Sequence, residues 1–177
     1  MKPRLIILSD LWGVEKSEWI KYYIENLNLK FEIQFYDCCD LGKVNKSDYV
    51  EEILHKQFVN NGIEIAMERL LELEKETIDV LAFSIGGTIA WKAQLKGLKI
   101  NNFYAISSTR LRYETSKPNC HTRFFFGEKD EYLPSSDWFN NIGIEPYIFT
   151  GKGHKLYSKI DCINEICNEI KTTYNAA

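Results

Sequence analysis

The sequence has no excess of positive charge and no long hydrophobic run. Its 22 lysines and arginines are outnumbered by 25 aspartates and glutamates, for a formal net charge of -3. No overall positive field is therefore available to gather phosphate backbones or anionic bilayer surfaces, and neither nucleic acid nor membrane is expected as a partner. The N-terminus, MKPRLIILSD, offers only a short apolar run, Leu5 to Leu8, before Ser9 and Asp10. That is too short for a signal-peptide core, and no other stretch approaches membrane-spanning length, so a cytoplasmic location is expected. Paired cysteine motifs are missing too. Cys38, Cys39, Cys120, Cys162 and Cys167 are an odd count without CxxC spacing or a histidine at ligand spacing, which argues against a disulfide framework and a zinc site. Cys162 and Cys167 read as buried or half-buried free thiols in a helix. Internal repeats, low-complexity tracts and linkers are also absent.

What is present suits one globular domain spanning 1–177, since 45% of the residues are hydrophobic and 14% aromatic, enough for a substantial core. Short apolar runs recur at RLIILS, FEIQFY (31–36), IDVLAFS (78–84), INNFYAIS (100–107), TRFFFG (122–127) and IEPYIFT (144–150). Such runs fit strands covered on both faces, about six in all. Between them, Trp19, Tyr23 and Leu27, and then Ile63, Ala66, Met67, Leu70 and Leu71, repeat at helical period. A third helix is expected over 88–96, closed by Gly97, and a fourth along Ile160, Ile163, Cys167 and Ile170, with Ser158 and Asp161 as a capping pair. This alternation predicts a three-layer α/β/α sandwich with a mostly parallel sheet, whose ligands bind beyond the strands' C-terminal ends. Connections after the fourth strand read as short, and 37–61 is the least legible segment.

Ser84 stands where the strand-like VLAF meets the helix-like IGGTIAW. An abrupt strand-to-helix turn around a serine is a nucleophile elbow, and it requires small neighbours, here Ala82, Gly86 and Gly87. A serine hydroxyl is too weak an acid to ionise near neutrality, so it needs an imidazole to take its proton. Of the three histidines, His55 lies in the unassigned region and His121 precedes a strand. His154, in the loop GKGHKLY after the last strand, stands at the correct sheet edge. A third group must orient that imidazole, and FFFGEKDEYLP places Glu128, Asp130 and Glu131 just past another strand. Asp130 is the expected acid, with Glu128 and Glu131 read as solvated charges.

The order Ser, Asp, His, each after a strand, resembles that of the α/β-hydrolases, and the likeness runs from Leu5 to the C-terminus. AFSIGG resembles the family's elbow, GEKDEYLP its acid loop and GKGHKL its histidine loop. The resemblance implies an oxyanion hole made by the backbone N–H groups of Ile85 and Leu11. The segment SDLWG stands where the family usually shows a His-Gly-x-x-Gly-like segment, so Ser9 and Asp10 depart from the pattern. An inward-pointing Asp10 would oppose a developing oxyanion. Trp12 is expected to wall the substrate pocket or to be ordinary packing. The short SSTRLRYETSKPNC connection between the fourth and fifth strands leaves no room for a cap or lid domain, so an open site is expected.

By this likeness the chain is expected to be a small serine esterase, acting on a carboxylic ester or thioester through an acyl-enzyme, with no metal and no cofactor. The alternatives are an acyltransferase using the same triad and a non-catalytic hydrolase-fold protein that binds a partner.

Overall fold

Residues 2–175 are described by a computed structural model, so the outermost residues of the expected 1–177 domain lie outside the described ones. Its strands are β1 (Arg4–Leu8), β2 (Glu32–Tyr36), β3 (Ile78–Phe83), β4 (Ile100–Ile106), β5 (His121–Gly127) and β6 (Pro146–Phe149). They form one sheet in the order β2-β1-β3-β4-β5-β6, with every neighbouring pair parallel. Strand alternation divides the apolar side chains between two layers. In β1, Ile6 and Leu8 enter one core while Leu5 and Ile7 enter the other, and in β5 Phe124 and Phe126 oppose Phe125 in the same way.

Helices complete the sandwich. On one face, Ile20, Tyr23 and Leu27 of α1 (Ile20–Leu27) meet Ile163, Ile166, Cys167 and Ile170 of α7 (Ile160–Asn175). The opposite face is covered by α2 (Cys38–Leu41), α4 (Ile63–Leu73), α5 (Ile85–Leu95) and α6 (Ser136–Ile142). The fold is thus the three-layer α/β/α arrangement expected from the alternation.

Three details differ from the expectation. The link between β5 and β6 holds α6, started by Ser135, whose hydroxyl accepts from the Trp138 N–H at 3.2 Å. Segment 37–61 is largely helical: α2 is capped by the Asp37 carboxylate, and α3 (Glu51–Gln57) runs through a wide turn into α4. Ser158 takes no part in capping α7: its hydroxyl donates to the Lys155 carbonyl within a 3-10 turn, His154–Ser158, while Asp161, in the first turn of α7, pairs with Lys152 and receives the Cys162 N–H. No helix among the described residues is long and apolar enough to cross a membrane.

Candidate active site

At the C-terminal edge of β3 the chain turns through Ser84, whose φ of 50° and ψ of -117° lie in a region that L residues rarely adopt. The turn is pinned on both sides, since the Ser84 N–H donates to the Ile106 carbonyl at 3.0 Å and the Ser84 carbonyl accepts from the Thr109 N–H at 3.2 Å. The expected need for small neighbours is met by close contacts. A Cβ on Gly86 would lie 2.6 Å from the Ser9 carbonyl oxygen, and one on Gly87 1.7 Å from the Ser108 hydroxyl.

The Ser84 hydroxyl is 3.1 Å from Nε2 of His154, and Nδ1 of the same ring is 3.0 Å from Oδ1 of Asp130. Asp130, in the loop after β5, is buried and also accepts from the Tyr132 N–H at 2.9 Å. Two rings restrain the imidazole edge-on, Tyr132 at 4.9 Å and Tyr157 at 5.9 Å. The acid and histidine loops are tied together where a Cβ on Gly127 would lie 2.4 Å from the Lys152 carbonyl, and the Lys129 N–H donates to that carbonyl at 2.8 Å. Glu128 accepts from the Gly151 N–H at 2.7 Å and Glu131 is exposed. Of the three acids, then, the imidazole meets Asp130.

Segment 9–13 lies beside the serine and is braced by α2. The Cys38 N–H donates to the Ser9 hydroxyl at 2.9 Å, and the Cys38 and Cys39 thiols donate to the carbonyls of Ser9 and Leu11 at 3.0 and 3.1 Å. Burial pushes both thiols up, Cys39 to about 12, so these adjacent cysteines act as neutral braces. Among the described residues, the Leu11 and Ile85 N–H groups donate to no protein acceptor. Asp10 is buried, and its carboxylate turns to the Trp12 N–H at 2.9 Å and the Tyr157 hydroxyl at 3.2 Å.

A cavity of about 300 Å³ opens over these groups, lined by Ser84, His154, Leu11, Ile85, Thr109 and Tyr132, with Glu51, Glu52 and His55 contributed by α3.

No protein-family model matches the sequence, and no curated protein does. Solved structures do match over nearly the whole chain. A Xanthomonas campestris protein assigned to the alpha/beta hydrolase superfamily has a TM-score of 0.69 and 15% identity, covering 97% of this chain and 99% of its own. Carboxylesterase CesB from Bacillus subtilis has a TM-score of 0.66 and 12% identity, covering 99% of this chain and 85% of its own. Est1E from Butyrivibrio proteoclasticus, solved with ferulic acid bound, has a TM-score of 0.67 and 11% identity, covering 98% of this chain and 88% of its own.

The chain has the α/β-hydrolase fold.

Within that hydrolase fold, Ser84, Asp130, His154, Leu11 and Ile85 gather at one sheet edge. Trp12 is outside the cavity lining. Its indole packs edge-on against Tyr49 at 5.3 Å, under the Lys16 ammonium at 3.7 Å, which is the packing alternative. Where the sequence leads to an open site, α3 stands over the mouth. The connection between β4 and β5 holds only a 3-10 turn, Leu111–Tyr113, while cover comes from between β2 and β3. A signal was present: Val50, Leu54 and Phe58 repeat every four residues. His55 thereby enters the cavity, where burial and the nearby Arg110 and Arg112 hold its ionisation below the usual histidine range.

Proposed function

We propose that this protein is a serine hydrolase that cleaves carboxylic esters or thioesters through an acyl-enzyme. The observation that carries the reading is the continuous contact from the Ser84 hydroxyl through both nitrogens of His154 to the buried Asp130 carboxylate. Ser84 attacks the substrate carbonyl as His154 Nε2 takes its proton, and Asp130 holds the tautomer with the proton on Nδ1 and stabilises the imidazolium. The unpaired N–H groups of Leu11 and Ile85 receive the developing oxyanion. His154 then protonates the leaving alcohol or thiol, and water, deprotonated by the same imidazole, releases the acid and restores Ser84. Esters and thioesters suit the site because their leaving groups depart more easily than amines. The cavity of about 300 Å³ fits a short acyl or aryl group better than a peptide.

The test is labelling with a fluorophosphonate, together with turnover of p-nitrophenyl and thioester substrates of increasing acyl length. The wild type should be tagged at Ser84 and turn over short acyl substrates best, and Ser84→Ala should do neither. An untagged, inactive wild type would overturn the reading.

A further inference from the structure

Asp10 stands where the hydrolase pattern puts glycine, and burying a carboxylate is costly unless it is partnered. Here it is only 2% exposed, yet no cation pairs with it at ion-pair distance among the described residues. Its two oxygens have separate tasks. Oδ1 accepts from the Trp12 N–H, which folds segment 10–12 back on itself and turns the carboxylate into a cap for its own loop. Oδ2 accepts from the hydroxyl of Tyr157, a buried residue of the same 3-10 turn that begins with His154. One side chain therefore joins the segment bearing the Leu11 amide to the turn bearing the imidazole. These pieces are about 150 residues apart in sequence, with an |i−j| of 147 between Asp10 and Tyr157.

We propose that Asp10 is a positioning residue, a clamp that sets the Leu11 amide and the His154 ring at a fixed spacing across the reacting carbonyl. The proposal rests on the serine-hydrolase reading. A carboxylate held in this way has each oxygen engaged by a donor, the Trp12 N–H and the Tyr157 hydroxyl, and serves the geometry of the oxyanion site. The clamp is strongest when charged, because hydrogen bonds to an ionised acceptor are roughly twice as strong as neutral ones.

Its charge depends on what faces it. Lys155 and His154, from the turn after β6, favour the ionised form, as do the Trp12 N–H and the Tyr157 hydroxyl. Cys38 and Cys39 of α2 and Tyr49 ahead of α3 also face it, and burial keeps all three, like Tyr157, in their neutral forms. Burial outweighs the favourable contacts and pushes Asp10 up to about 6. The clamp is therefore ionised at neutral pH and loses its charge as pH falls through about 6.

The experiment compares wild type, Asp10→Asn and Tyr157→Phe, measuring kcat, KM and the rate of fluorophosphonate labelling from pH 4.5 to 9. Asp10→Asn should lower kcat and the labelling rate ten- to a hundredfold at pH 8, with KM little changed, since misplacement by about 1 Å costs that much. Its profile should lack one ionisation that the wild type shows. In Tyr157→Phe that ionisation should persist and move upward, because the hydroxyl that holds it down is gone. If Asp10→Asn keeps both the wild-type rate and the wild-type profile while Ser84 is labelled normally, Asp10 is packing only and the clamp is refuted. If Asp10→Asn loses activity through unfolding, the clamp is still judged on Tyr157→Phe, where an unchanged profile and rate would overturn it. A wild type that fails to label overturns the hydrolase reading, and this role with it.

Discussion

Individual side chains in the site are held by more than one partner, which makes their substitution informative. Asp130 joins His154 to its own loop through the Tyr132 N–H. Asp130→Asn should preserve that loop bond and leave the imidazole in the wrong tautomer, lowering kcat by about three to four orders of magnitude without unfolding. Glu131→Gln, an exposed change, should stay within about twofold of wild type. Steady-state turnover of a p-nitrophenyl ester separates the two, and a larger loss from Glu131→Gln would name a different acid. Asp10 makes a second prediction, on stability. In the unfolded chain it ionises near 3.8, and in the fold at about 6. The folded state thus binds this proton more tightly, so the contribution is fully present below 3.8 and is lost as pH rises through about 6. The interval corresponds to at most about 3 kcal/mol. Asp10→Asn removes the charged form, so denaturant melts should show it gaining stability relative to wild type between pH 4 and pH 8. Lost activity with retained or increased stability is the signature of a residue kept for function.

Two elements set the shape of the site. The first is the strand-turn-helix of β3 and α5, where Gly86 lets α5 approach β1 so closely that an added Cβ would meet backbone at Ser9. Gly86→Ala should cost at least about 1–3 kcal/mol by overpacking, and because the displaced group belongs to segment 9–13, labelling of Ser84 should slow as well. The second element is α3, anchored by its Leu54 and by Phe58 just past its end in the core it shares with α4 and α5. Leu54→Ala leaves a cavity beneath α3 and should destabilise the protein by about 2–5 kcal/mol. It should also loosen the wall formed by Glu51, Glu52 and His55, so longer acyl esters should gain relative to acetate in a chain-length series. An unchanged chain-length preference would separate α3 from substrate selection.

At the scale of the whole molecule, the site exists only when the sheet is complete. Ser84 and His154 are separated by an |i−j| of 70, and they meet because β3 is central while the loops after β5 and β6 fold back toward it. Loss of labelling in urea should therefore coincide with loss of tryptophan fluorescence, as expected of one cooperative unit. The sequence alone determined the strand pattern, because buried parallel strands require apolar runs and RLIIL, IDVLAF and HTRFFFG have few other solutions. It also made the elbow and the Ser, Asp, His order legible, since small residues are obligatory where strand and helix touch. Only the tertiary structure decided where Asp10 turns, that Cys38 and Cys39 brace segment 9–13, and that α3 covers the cavity. The physical reason is that periodicity records burial along one element. The direction of a loop side chain and the packing of a short amphipathic helix depend on partners far away in sequence, and these take their positions only when the chain closes on itself.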